Sequence, residues 1–72
     1  MKTHLQGIGK CQAIFAKDLK EGDIMVCNFG ITQTVTEIRK RTEKSVFLTV
    51  RSESGKLYET RYLNTRLVAI KQ

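Results

Sequence analysis

The stretch from residue 45 to residue 63 constrains this chain more than any other. Ser45-Val46-Phe47-Leu48-Thr49-Val50-Arg51 places Val46, Leu48 and Val50 at every second position. That period suits a strand with one buried face and does not suit a helix, whose apolar positions recur every three or four residues. Glu53-Ser54-Gly55-Lys56 follows, and Leu57-Tyr58-Glu59-Thr60-Arg61-Tyr62-Leu63 is again rich in residues that favour the pleated backbone. A Ser-Gly step between two such runs supplies the positive φ of a tight turn, so the segment is expected to form an antiparallel hairpin.

The rest of the chain is consistent with more strands around it. Cys11-Gln12-Ala13-Ile14-Phe15-Ala16 alternates weakly, Ile24-Met25-Val26-Cys27-Asn28 is a second short run, and residues 31–40 are rich in Thr, Val and Ile. In that third run Val35 and Ile38 are three apart. A β-bulge near Thr36-Glu37 would return both to one face and bend the strand. Lys17 to Asp23 is expected to be a turn with Leu19 tucked inward and Gly22 at positive φ. Asn64-Thr65 interrupts the chain before a last short strand at residues 66–71. Residues 1–10 are expected to form a flexible N-terminal arm, and residues 11–72 a single β-domain. At 72 residues there is room for one core and no second folded unit. A core of that size contributes only about 3–5 kcal/mol, so self-association is an open expectation. Five to six short strands without a helix predict an all-β, mainly antiparallel small barrel, which also hides most strand edges.

Residues 16–26, Ala-Lys-Asp-Leu-Lys-Glu-Gly-Asp-Ile-Met-Val, resemble the opening of small SH3-like barrels, including the KOW-type barrels of translation and transcription proteins. The bent third strand, the Ser-Gly hairpin and the break before the last strand are similar in layout. The resemblance implies a binding module. Leu-x-x-Gly-Asp also resembles a stretch of Hint domains, but the chain is too short and lacks the cysteine and downstream histidine of that chemistry.

Few side chains suit catalysis. His4 is the sole histidine and falls in the expected arm, without a positioned partner. Cys11 and Cys27 lie among apolar neighbours, where cysteine acts as a small hydrophobe, and they form no CxxC; a bridge between them would require neighbouring strands. One histidine and two distant cysteines do not make a zinc site, and the Asp18, Glu21, Asp23 group is accounted for by its turn. No catalytic residue, metal or cofactor is therefore expected. The cysteine usage and the lack of an apolar leader or of about 18 consecutive apolar residues predict a cytoplasmic protein with no membrane partner.

Charge is more informative. Thirteen Lys and Arg against seven Asp and Glu give +6. Residues 37–72 carry nine of those cations. Clustered cations at a pI near 9.7 are the electrostatic footprint of a nucleic-acid binder. Arg39-Lys40-Arg41 and Lys44 are the densest group and fall at a predicted hairpin tip. If Val46, Leu48 and Val50 face inward, Phe47 and Arg51 face outward, beside Arg61 on the next strand. An exposed ring among arginines is a surface on which a base can stack. The candidate nucleic-acid site is thus Arg39, Lys40, Arg41, Lys44, Phe47, Arg51 and Arg61. On the strand of residues 57–63, one of two faces, that of Tyr58, Thr60 and Tyr62 or that of Leu57, Glu59, Arg61 and Leu63, must be the core. At least one tyrosine is expected to be buried with its hydroxyl at the rim, and an outward Tyr58 or Tyr62 would add a stacking contact. Glu53 and Glu59 lower the potential of the cations around them. The alternative function is a protein-interaction module that docks on an acidic surface or self-assembles, such as a phage- or mobile-element-encoded regulator, inhibitor or adaptor.

Overall fold

The computed structural model describes residues 1–71; residue 72, the last of the expected domain, lies outside the described residues. Seven strands run in the order β1 (Lys2–Leu5), β2 (Gly9–Phe15), β3 (Ile24–Val26), β4 (Thr32–Arg41), β5 (Ser45–Ser52), β6 (Leu57–Leu63) and β7 (Leu67–Ala69). Single 3₁₀ turns occupy Ala16–Asp18 and Asn28–Gly30. All pairings are antiparallel, within a three-stranded sheet of order β1-β2-β7 and a four-stranded sheet of order β3-β4-β5-β6.

The expected all-β antiparallel class is found, with two differences. The sheets do not close into a barrel: they are joined where Met25 bridges Ile70, and the Lys71 N–H donates to the Ile24 carbonyl at 2.8 Å. The strand count is seven because residues 2–5, expected within a flexible arm, form β1. Its register against β2 runs from Lys2 opposite Gln12 to Leu5 opposite Gly9. A sequence argument has little to hold there, since Lys2-Thr3-His4-Leu5 buries no side chain fully and is ordered by its ladder. The turn of this hairpin docks on the second 3₁₀ turn: the Phe29 N–H donates to the Gln6 carbonyl at 2.7 Å, and the Gln6 N–H to Asn28 Oδ1 at 3.0 Å.

The two sheets face one another across a core of Ala16, Leu19, Met25, Val35, Val46, Leu48, Val50 and Val68, with Ile14, Ile38, Tyr62 and Ile70 packed at its margin. Leu19 is fully buried as expected, and Gly22 takes φ +94° in the turn that follows it. The β4 ladder skips a residue twice, between Val35 and Glu37 and again between Ile38 and Lys40. Each extra residue shifts the phase of the pleat. Val35 and Ile38 thereby stand opposite the inward Val50 and Leu48, while Glu37 and Lys40 stand opposite the outward Thr49 and Phe47. The first bulge matches the slip read in the sequence. The second does not follow from hydrophobic spacing, because the residue it inserts, Arg39, is polar.

Two substitutions separate packing from backbone strain. Leu48→Ala removes a fully buried side chain from the middle of β5 and is expected to cost about 2–5 kcal/mol in urea unfolding. Gly7→Ala is expected to cost more than Gly22→Ala. Both glycines have positive φ, but a Cβ on Gly7 would come within 2.6 Å of the Phe29 ring and 3.3 Å of its Cα, whereas one on Gly22 meets open space. Gly22→Ala then reports the left-handed backbone alone, about 1–2 kcal/mol.

Candidate functional site

The residues that β5 turns away from the core define one face of the four-stranded sheet. Phe47 lies directly between Lys40 on β4 and Arg61 on β6. Side chains paired in this way across antiparallel strands stand roughly 4.5–5.5 Å apart at Cβ. The next outward row is Glu37, Thr49, Glu59, and the one beyond it Thr34, Arg51, Leu57. Phe47 is half-buried, while Lys40, Arg51 and Arg61 are exposed. The face thus carries a cation–aromatic–cation row, an acidic row and a further arginine.

Arg39, the extra residue of the second bulge, reaches across β5 on this face. Its guanidinium pairs with the Glu59 carboxylate and lies 3.9 Å from Glu37. Two of the face's carboxylates are therefore held against one arginine. Lys40, Arg51 and Arg61 form no ion pair among the described residues. A shallow depression of about 240 Å³ lies between Arg39, Phe47, Glu59, Thr60 and Arg61.

Arg41 goes elsewhere. Its partner in the ladder is Val46, on the inward phase, and its guanidinium donates to the carbonyls of Lys17 and Leu19 at 2.6 Å each. It ties the β4–β5 hairpin to the first 3₁₀ turn, and the fork suits two diverging carbonyls. The basic triplet expected to act together is therefore divided by its strand. Lys44 lies in the hairpin turn itself, where Thr42 Oγ1 accepts the Ser45 N–H at 3.0 Å and Asn64 Nδ2 donates to the carbonyls of Thr42 and Glu43. Asn64, singled out in the sequence only as a strand breaker, braces the tip. Of the expected residues, the structure brings Arg39, Lys40, Phe47, Arg51 and Arg61 onto one face, holds Lys44 at its end, and turns Arg41 to the framework.

The two open faces of β6 are also resolved. Thr60 and Tyr62 turn toward the core side and are half-buried, and the Arg66 guanidinium stacks 4.9 Å from the centroid of the Tyr62 ring. Leu57, Glu59, Arg61 and Leu63 share the outward face. Glu59 lies among the cations of that face, as its place two residues from Arg61 implies, and the structure adds that its carboxylate is engaged by Arg39.

A second concavity, about 300 Å³, lies where the sheets part, lined by residues that include His4, Met25, Cys27, Tyr62 and Arg66. His4 thus stands on β1 at the mouth of a cleft and not on a loose arm. Cys11 and Cys27 are both free thiols. No three His, Cys, Asp or Glu side chains among the described residues lie close enough together to hold a metal. No helix among them is long and apolar enough to cross a membrane.

Comparison with known proteins returns no matching family model, no matching curated protein and no matching solved structure.

Arg41→Ala is expected to lower stability by about 1–3 kcal/mol, the scale of charge-assisted hydrogen bonds partly open to water, and to leave ligand affinity unchanged. Parallel denaturation and binding measurements on that variant distinguish a framework arginine from a ligand-binding one.

Proposed function

We propose that this domain is a non-enzymatic binding module that engages nucleic acid, favouring single strands, through the outward face of its four-stranded sheet. The observation that carries the reading is the row Lys40, Phe47, Arg61. It sets one half-buried aromatic ring between two cations that make no ion pair among the described residues. A base stacked on Phe47 would bring its flanking phosphates within reach of Lys40 and Arg61, with Arg51 one row further along. Stacking of that kind contributes about 1–3 kcal/mol per base and tolerates sequence. Arg39 serves a different purpose in this account. By holding Glu37 and Glu59 it offsets the two charges that would repel a phosphate chain.

The resemblance of residues 16–26 to small SH3-like barrels of the KOW type supports a binding role, and two free thiols fit a reducing, cytoplasmic compartment. A second reading, docking on an acidic protein surface, is favoured by the exposed Leu57 and Leu63 on the same face, which a nucleic acid would leave unused.

Titration into short labelled DNA and RNA, single- and double-stranded, at several salt concentrations tests the reading. Three phosphate contacts, from Lys40, Arg51 and Arg61, predict log affinity falling with log salt at a slope of about −2 on single strands. Phe47→Ala is expected to weaken binding about 5- to 150-fold at fixed salt, and Lys40→Ser with Arg61→Ser to flatten the slope. Binding that is absent at low salt, or unchanged in these variants, overturns the assignment.

A further inference from the structure

β6 is an edge strand of seven residues without a bulge or a proline, and of the usual means by which edges are kept from pairing it has only two charges of opposite sign, Glu59 and Arg61. Its sequence, Leu57-Tyr58-Glu59-Thr60-Arg61-Tyr62-Leu63, is a chemical palindrome about Thr60. In antiparallel alignment with a second copy on a two-fold axis at Thr60, Leu57 meets Leu63, Tyr58 meets Tyr62 and Glu59 meets Arg61. Every pair then matches like with like or charge with opposite charge.

The backbone has the same symmetry. The Asn64 N–H donates to the Lys44 carbonyl and the Ser52 N–H to the Lys56 carbonyl, both at 2.8 Å, beyond the two ends of the β5–β6 ladder. Hydrogen-bonded pairs alternate along an antiparallel ladder. Tyr58, Thr60 and Tyr62 therefore exchange their bonds with β5, and Leu57, Glu59 and Arg61 point both N–H and C=O at the free edge, as Leu63 does its N–H, while the Leu63 carbonyl already accepts the Arg66 N–H at 3.0 Å. In the two-fold register those are the residues that become hydrogen-bonded partners: 57 with 63, and 59 with 61. Thr60 meets its own copy at a non-hydrogen-bonded position, where the side chains approach most closely. The exposure pattern agrees, since Leu57 is 64%, Leu63 57% and Tyr58 49% exposed.

We infer that β6 is a self-association edge, pairing antiparallel with β6 of a second copy to join two four-stranded sheets into one of eight strands. The contact is isologous and closes after two chains, so it gives a dimer and not a filament. Glu59 keeps Arg39 of its own chain and adds Arg61 of the second, which a two-oxygen carboxylate can accommodate. The inference does not depend on nucleic-acid binding: Arg61, paired across the dimer, is free for a phosphate in the monomer, and the three-contact salt slope is that of the monomer.

Sedimentation of the full chain over a range of concentrations, up to millimolar, is expected to give a monomer–dimer equilibrium. Glu59→Arg alone and Arg61→Glu alone each place like charges in both cross-chain pairs and are expected to weaken the dimer by at least about tenfold. An equimolar mixture of the two variants restores opposite charges in both pairs and is expected to recover it as a heterodimer. Amide hydrogen exchange on the unmodified protein supplies a test that needs no variant: the N–H groups of Leu57, Glu59, Arg61 and Leu63 gain protection as concentration rises, while that of Thr60 is protected throughout. A protein that stays monomeric, a dimer insensitive to both charge reversals, or edge amides whose exchange ignores concentration overturns the inference.

Discussion

The burial of Val46, Leu48 and Val50 holds the rest of the structure in place. All three are sealed in the core between the sheets, and a shift of register by one residue would exchange them for Phe47, Thr49 and Arg51. No other strand has so strong a commitment. β5 has a neighbour on each side, β4 and β6, and its inward residues determine which of their residues face outward. The candidate surface is in this sense a by-product of the core: Phe47 is outside because its neighbours must be inside.

β4 shows what that constraint requires of a partner strand. A regular ten-residue strand could not place both Val35 and Ile38 against β5, and the first of the two bulges resolves the conflict. The second distributes charge. Arg39 becomes the residue without a ladder partner and is free to cross the sheet to Glu59, Lys40 stays in the outward phase beside Phe47, and Arg41 falls in the inward phase and secures the carbonyls of Lys17 and Leu19. Three adjacent basic residues thus receive three tasks: neutralising carboxylates, presenting a free cation and fastening a turn. Local charge density in a sequence overstates the positive potential of the surface that it builds, because part of the charge is consumed by the fold.

Much of the fold was legible because the strands obey a short-range rule. The alternation in residues 45–51, the Ser-Gly turn, the buried Leu19, the positive φ of Gly22 and the slip at Thr36-Glu37 each follow from a few consecutive residues. What was not legible depended on contacts between distant segments. β1 has no alternation of its own and exists by pairing with β2; the inward face of β6 is selected by β5; and among the described residues β3 joins the second sheet just past the end of β7, through the single bridge of Met25 to Ile70 and the Lys71–Ile24 hydrogen bond, so no continuous ladder closes the sheets. The site divides along the same line. Phe47, Arg51 and the outward phase were accessible from periodicity, whereas the diversion of Arg41 and the part played by Glu59 required the second bulge, whose inserted residue leaves no hydrophobic signature.

Chemical-shift mapping by NMR, with the isotopically labelled full chain titrated by a short single-stranded oligonucleotide at low salt, tests the central claim most directly. The account predicts that the largest changes fall on Lys40, Phe47, Arg51 and Arg61, with the Phe47 ring resonances moving upfield under a stacked base, while Arg41 and the buried Val46, Leu48 and Val50 change little. Changes centred instead on the cleft of His4, Cys27 and Arg66, or no changes at all, would contradict it.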